Sequence, residues 1–402
     1  MNSAELSPSA GRLVVVGGGT AGAEAAFAAR SAGWEGEIVI LSDEPYPPYH
    51  RPPLSKDLLT AESTFAGPDP LKGAPLYAKK NIDLRLGAAV ERIDRKNQVL
   101  HLNAARTLSY DRLILAVGGR ARILPILARF DRQPSNVHVL RTMDECARLR
   151  TSFQTGKNLL IVGAGYIGLE VAAAAIKAGQ RVVVLEAAPR VLARVTAPEV
   201  SRFFQREHAR RGVEIYTATT IDDLSLTSDG KVDRVSTSDG AEYAIDNMVV
   251  GVGLEPHVQL AQDAGLEIGN GIVVDDDMVT SDPKILALGD CADFHSEIYG
   301  RRVRIESVAN AVEHARRAAA TLTGGQPKAW QVPWFWSNQY GHSLKIVGLS
   351  TGYDDTRIID DPESDSFAVE YLRDGRLIAV DAINHAAAFQ SGKKRISEIV
   401  HA

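Results

Sequence analysis

The chain has 402 residues, enough for two or three domains, and its 45% hydrophobic and 24% charged content is that of an ordinary globular protein. With 45 Lys and Arg against 50 Asp and Glu, the net charge of −5 excludes wholesale binding to nucleic acid. No apolar run approaches the roughly 18–20 residues of a membrane span, the polar start from Met1 to Arg12 does not read as a secretory signal, and two cysteines cannot build a disulfide framework, so a cytoplasmic protein is expected.

Leu13-Val14-Val15-Val16 is a short, continuous apolar run suited to a buried parallel strand. Gly17-Gly18-Gly19-Thr20-Ala21-Gly22 follows, then an Ala-rich helix from Ala23 to Ser31. A second strand, Ile38 to Leu41, leads to Ser42-Asp43-Glu44. In such a unit the first glycine permits the tight turn, the second lets a pyrophosphate approach the backbone, and the third lets helix and strand pack closely. The N–H groups of the helix start and its partial positive charge face the phosphates. An acid closing the second strand accepts hydrogen bonds from a ribose, and Asp43 stands in that place, 24 positions after Gly19.

The same grammar returns after about 146 positions. Leu159 to Val162 is a strand, Gly163-Ala164-Gly165-Tyr166-Ile167-Gly168 a turn, and Leu169 to Ala178 a helix. Arg181 to Leu185 is the next strand, and Glu186 closes it 21 positions after Gly165. Two copies predict two nucleotide-binding domains. Hairpin turns are expected at Ser228-Asp229-Gly230 and Ser238-Asp239-Gly240. Ile285 to Leu288 then reads as a strand returning to the first domain and ending in Gly289-Asp290, where Asp290 can meet a ribityl or phosphate group. From about Gln331 the texture changes to Trp334-Phe335-Trp336, alternating strands with a turn at Arg373-Asp374-Gly375, and a last helix near Ala387.

The expected architecture is α/β: two Rossmann-like dinucleotide-binding domains and a small α+β C-terminal domain. The boundaries expected are 1–121 with 249–328, 122–248, and 329–402. Two residues look anomalous. Lys56 follows Pro52-Pro53-Leu54-Ser55, where prolines fit a first helical turn and place the lysine one turn in. Glu170 sits in the first turns of a helix that must pack on a sheet, so it either answers the helix dipole or is a polar group kept for a cofactor. No His-x-x-x-His, His-Glu-x-x-His or Cys-x-x-Cys pattern occurs, and no metal is expected.

His50-Arg51-Pro52-Pro53-Leu54-Ser55-Lys56, Arg304-Ile305-Glu306-Ser307-Val308-x-Asn310-Ala311 and Pro333-Trp334-Phe335-Trp336-Ser337-Asn338-Gln339-Tyr340 carry a family resemblance over nearly the whole chain. The sequence resembles the FAD-dependent pyridine-nucleotide oxidoreductases of glutathione-reductase-like fold. More closely, it is similar to the NADH-dependent ferredoxin reductases that serve cytochromes P450 and Rieske-type oxygenases. The resemblance implies non-covalent FAD on Gly17, Gly19, Thr20, Ala21 and Gly22, with Asp43 on the adenosine ribose and Val90 at the adenine edge. Arg51, Lys56, Ala116, Gly118, Arg141, Asp290 and Val308 would complete that site, Lys56 reaching the isoalloxazine. NADH would use Gly163, Gly165, Tyr166, Ile167, Gly168, Glu186 and Arg194, with Glu170 and Gly253 near the nicotinamide. Glu170 would pair with Lys56, and Trp336 would approach the flavin, so that Lys56, Glu170 and Trp336 form the catalytic group.

The chain departs from the family at Val117, where relatives usually carry Thr, and at Asn338, where many carry Asp. It also ends at Ala402, where several relatives continue. With no cysteine near the first loop, electrons from NADH would leave the flavin directly, one at a time, to a [2Fe–2S] ferredoxin. An NADH oxidase or quinone or dye reductase, and a redox-sensing protein like apoptosis-inducing factor, are the alternatives. Neither a nucleic acid nor a membrane is an expected partner. Ferredoxins are typically acidic, so Arg316 and Arg317, with Arg301 and Arg302 upstream, are the candidate docking residues.

Overall fold

A computed structural model describes residues 10–60 and 67–400. The chain divides into two compact units, one of Met1–His50, Asp69–Arg120 and Pro256–Trp334, the other of Arg51–Pro68, Ala121–Glu255 and Phe335–Ala402.

The first unit is built on a five-stranded parallel sheet in the order Ile285–Ala287, Arg112–Leu115, Leu13–Val16, Ile38–Leu41, Ile82–Arg85. Leu13–Val16 lies at its centre and is wholly buried, as a strand covered on both faces must be. The helix Thr20–Ser31 buries mostly small residues: Ala23, Ala25, Ala26 and Ala29 are at or near zero exposure, with Phe27 the one large side chain among them. It packs closely against the helix Val308–Leu322, a approach that so many alanines permit. The start of that second helix follows from its sequence, because Ser307 is the N-cap and its hydroxyl accepts from the Asn310 backbone N–H at 3.1 Å. The strands Val90–Asp94, Val99–Leu102 and Thr107–Ser109 form an antiparallel meander in the same unit.

The second unit repeats the parallel design, in the order Glu214–Thr217, Arg181–Glu186, Asn158–Val162, Asn247–Val250, Val137–His138. The two expected hairpins connect Ile221–Leu226, Val232–Thr237 and Glu242–Ala244. A five-stranded sheet follows in the order Trp334–Gln339, His342–Gly348, Arg376–Ile383, Phe367–Arg373, Asp355–Ile359. Asp374 and Gly375 both have positive φ in its tightest turn, the geometry of a primed hairpin. The final helix, Ala386–Val400, lies on this sheet. The α/β class, the two dinucleotide-type sheets and the α+β C-terminal region are therefore as the sequence led us to expect. Among the described residues, no helix is long and apolar enough to cross a membrane.

Candidate functional site

The two glycine loops are built alike. Gly17 has φ +117°, and a Cβ on it would stand 2.2 Å from the Ala116 carbonyl oxygen. Gly163 has φ +100°, with the Gly251 oxygen 2.5 Å from the same point. A Cβ on Gly22 or on Gly168 would lie 2.0 Å from the carbonyl oxygen of Gly17 or of Gly163. These four positions are therefore closed to any other residue by the fold itself. The middle glycines differ in kind: a Cβ on Gly19 or on Gly165 would meet nothing within 4 Å. Each is the N-cap of its helix and supplies no capping side chain. Folding alone does not require glycine there; a group brought close to the backbone does, and a dinucleotide pyrophosphate fits that space.

Around the first loop, Gly289 comes so near that its Cβ would stand 2.8 Å from that of Ala21, which brings the Gly289-Asp290 turn beside the loop. The Asp290 carbonyl accepts from Arg304 at 3.0 Å. Asp43 is exposed at the end of its strand, and its Oδ1 accepts from the Glu44 N–H at 3.0 Å. Val90 and Val308 open the strand and the helix described above, both half-buried. Thr20, Ala116 and Gly118 also belong to this unit, Ala116 being the residue whose carbonyl faces Gly17.

The second loop carries a more enclosed chemistry. Glu186 accepts from the Ala164 N–H at 2.6 Å and from the Ala188 N–H at 2.8 Å, so the acid is oriented by the loop it serves. Tyr166 packs on Phe335 with ring centroids 4.8 Å apart, Phe335 lies 6.3 Å from Trp336, and Ile167 is exposed. A Cβ on Gly253 would lie 3.8 Å from the Arg194 guanidinium. Glu170, 3% exposed, receives Lys56 Nζ at 2.6 Å on Oε2. Ser55 also donates to Oε2, and Ser337 donates to Oε1 at 2.6 Å. Burying a carboxylate is costly unless it is ion-paired and hydrogen-bonded, and Glu170 is both. Arg51 donates to the Arg141 carbonyl at 2.8 Å, while the Arg141 N–H is held by Glu145 at 2.7 Å. Arg51, Lys56, Arg141, Glu170 and Trp336 thus all fall in the second unit.

Two expectations need correction. Lys56 is not one turn into a helix. Pro52–Ser55 forms a 3-10 turn, and Lys56 caps it with φ −127° and ψ −119° before a new helix, Asp57–Thr60, begins. The break frees the Pro52 carbonyl to accept from Lys56 Nζ at 3.1 Å. Arg317 is not a docking residue: it is 7% exposed, donates to the carbonyls of Asp276 and Lys328, and lies 3.8 Å over the Trp330 ring. Its charge is spent inside the first unit. Arg316 and Arg301 are exposed, and Arg302 is engaged with Asp293.

Residues 11–315 match the pyridine nucleotide-disulphide oxidoreductase family, and residues 334–401 match the reductase C-terminal family. The chain belongs to the pyridine nucleotide-disulphide oxidoreductases. Membership implies that it binds FAD and a pyridine nucleotide and acts as an oxidoreductase. It is 44% identical to putidaredoxin reductase of Pseudomonas putida, over 96% of this chain and 92% of that one. Rhodocoxin reductase of Rhodococcus erythropolis is 39% identical, over 95% and 88%. A crystal structure of a covalent putidaredoxin reductase–putidaredoxin complex superposes with a TM-score of 0.92 at 44% identity, covering 96% of this chain and 93% of that chain. The resemblance read from the sequence is borne out.

The disulphide of the family name has no counterpart here. Cys146 and Cys291 are the two cysteines of the chain, both free and both buried. Burial pushes each thiol up to about 11, which keeps them protonated and unreactive at neutral pH.

Sequence reading missed Ser55, which shares Glu170 Oε2 with Lys56, and Ser337 on Oε1, backed in turn by Gln339 and His208. The alternation of Trp336-Ser337-Asn338-Gln339 does place Ser337 and Gln339 on one strand face, and both are buried. It also missed His314, which is buried and accepts from the Gly289 N–H at 3.1 Å, supporting the turn before Asp290. Nothing in the local sequence distinguishes that histidine from a surface residue of its helix.

Proposed function

We propose that the chain is a cytoplasmic NADH-dependent flavoprotein reductase that passes single electrons to a [2Fe–2S] ferredoxin, which in turn supplies a cytochrome P450 or a ring-hydroxylating oxygenase. One observation carries the choice of a direct one-electron route: both thiols are isolated, buried and protonated, so no dithiol relay is open to this member of the family.

The first loop, with room at Gly19, Asp43 at the strand end and Asp290 beside the turn, fits the FAD pyrophosphate and adenosine. Thr20, Ala21, Val90, Ala116, Gly118 and Val308 would line the same site. FAD, when bound, accepts a hydride from NADH and releases the electrons singly. No Cys or His lies in an attachment motif, and acid precipitation should leave the yellow colour in solution. The second loop would take NADH through Gly163, Gly165, Gly168 and the amides at Tyr166 and Ile167, with Arg194 and Gly253 flanking it. Glu186 would accept the ribose hydroxyls and repel a 2′-phosphate, so NADH is preferred over NADPH. Lys56 and Glu170 would hold fixed charge beside the reacting rings, and Trp336 would cover them; alignment is what hydride transfer most requires.

Docking is assigned to Arg316, the exposed member of the pair, with Arg301. Ferredoxin-dependent turnover should then fall as salt rises, because exposed charges are screened beyond about 10 Å at 0.1 M. Arg316→Glu should raise KM for ferredoxin and leave NADH-driven flavin reduction intact. The deciding experiment is anaerobic: NADH should bleach the flavin, and a [2Fe–2S] ferredoxin should restore its colour faster than air or a quinone does. Faster recovery with oxygen or quinone would overturn the assignment of the acceptor.

A further inference from the structure

Behind Glu170 runs a line of hydrogen bonds, all within the second unit. Ser337 Oγ donates to Glu170 Oε1 at 2.6 Å, and Gln339 Nε2 donates to Ser337 Oγ at 3.2 Å. His208 Nε2 is 2.8 Å from Gln339 Oε1, and the Tyr340 hydroxyl is 2.9 Å from His208 Nδ1. Ser337, Gln339 and His208 are 0–2% exposed, so water does not substitute for these partners.

The carboxylate fixes the polarity of the whole line. An ionised Glu170 only accepts, so the single Ser337 proton points at it. Ser337 Oγ must then accept, which turns the Gln339 amide nitrogen toward it and the amide oxygen toward His208. That oxygen in turn requires a proton on His208 Nε2. Burial pushes His208 down to about 4, so the ring is neutral at pH 7, Nδ1 is an acceptor, and Tyr340 is its donor. Every proton is aimed toward Glu170. A neutral carboxyl at position 170 would be compatible with the opposite direction, including a turned amide and the other tautomer of His208.

We propose that Tyr340, His208, Gln339 and Ser337 are positioning residues that hold Glu170 as an oriented carboxylate, so that its Oε2 remains committed to Lys56. The proposal rests on the reading that Lys56 and Glu170 serve NADH-driven flavin reduction. It explains a use for the Ser-x-Gln part of the Trp-Ser-Asn-Gln segment, which lies on a buried strand face where apolar residues would otherwise pack.

A tautomer measurement tests the direction of the line without turnover. In the oxidised holoprotein at pH 7, side-chain ¹⁵N spectra should show His208 as the neutral Nε2–H tautomer; the Nδ1–H tautomer or an imidazolium would overturn the proposal. A double-mutant cycle tests its use. Ser337→Ala should slow anaerobic flavin reduction by NADH roughly tenfold in the wild-type background, as expected for loss of a hydrogen bond to a buried charge. In a Glu170→Gln background the same change should cost less than about twofold, because the pair shares one interaction. Ser337→Thr, which keeps the hydroxyl, should recover most of the rate. Equal losses in both backgrounds would reduce Ser337 to a packing residue. Absence of NADH-driven reduction in the wild type would instead overturn the functional reading and leave the tautomer result standing.

Discussion

Glu24 and Glu170 occupy the same register in the two glycine units, each five positions after the middle glycine of its loop. Each is paired with a lysine at close range, Glu24 with Lys72 at 2.8 Å and Glu170 with Lys56 at 2.6 Å. The two lysine side chains are similarly exposed, Lys72 at 27% and Lys56 at 20%, but the Glu24 side chain is 25% exposed and that of Glu170 only 2%, with two serine donors as well. The same acid at the same helical position is a partly exposed pair in one copy and an enclosed charge in the other. Duplicated backbones share the geometry that the glycines impose; what distinguishes the copies is which side chains distant segments, here residues 51–56 and 335–340, bring to the helix.

The largest effect should come from the backbone that both copies share. Gly17→Ala and Gly163→Ala place a methyl against a carbonyl oxygen at a positive φ, and either should lower the yield of folded protein sharply in a soluble-expression and thermal-melt assay. Next is the contrast between the two acids. Glu170→Ala leaves the half-buried Lys56 ammonium and the buried Ser55 and Ser337 hydroxyls without their acceptor and should cost about 2–3 kcal/mol in denaturant unfolding, with a much larger loss in NADH-driven reduction than in FAD content. Glu24→Ala should cost no more than about 1 kcal/mol and leave the rate unchanged. Similar losses for the two would dissolve the distinction.

Buried titratable groups sharpen the comparison through pH. His314, in the first unit, is pushed down to about 3 by burial and secondarily by Arg317. The unfolded chain takes up that proton first, so its contribution to stability is lost as pH falls from about 6.5 toward 3. Asp381, in the second unit, is pushed up to about 7 by burial, which outweighs the opposing hydrogen bond from Tyr371. Here the folded state keeps a proton that the unfolded chain releases above about 4, so stability is lost as pH rises toward 7 and is level beyond. Asp381→Asn should therefore raise the melting temperature above pH 7 and leave it unchanged below pH 4. A rise at low pH instead would contradict the sign. The smallest effect expected is on nucleotide choice: Glu186→Ala should increase kcat/KM for NADPH relative to NADH, an unchanged ratio placing the discrimination elsewhere.

Much of this was legible in the residues. Continuous apolar runs before each glycine turn marked the parallel strands, and the spacing to Asp43 and Glu186 marked the ends of the next ones. Asp-Gly turns marked the hairpins: at Asp374-Gly375 both residues take a positive φ, and at Gly230 and Gly240 the glycine alone does. The site was legible only as far as local chemistry reaches. Glu170 stood out because a carboxylate on a packing face needs a reason, and the family motif supplied Lys56. His208, 38 positions from Glu170 and on another helix, had no such local anomaly; its role depends on where the strand Trp334–Gln339 lies. Arg317 misled for the converse reason. An Arg-Arg pair on a helix reads as solvated, yet adjacent helical positions face about 100° apart, and that turn sends Arg316 outward and Arg317 onto Trp330.

The central claim is that two loops of one design divide the work, the first holding FAD and the second taking NADH. Gly19→Ala and Gly165→Ala test it most directly, because neither added methyl meets another protein atom within 4 Å. The measurement is FAD content, from the flavin absorbance per chain, beside KM for NADH in the flavin-loaded fraction. Gly19→Ala should purify depleted of FAD, with KM for NADH in the loaded fraction unchanged. Gly165→Ala should retain full FAD and show a raised KM. Loss of FAD from both variants, or the reverse assignment, would contradict the division.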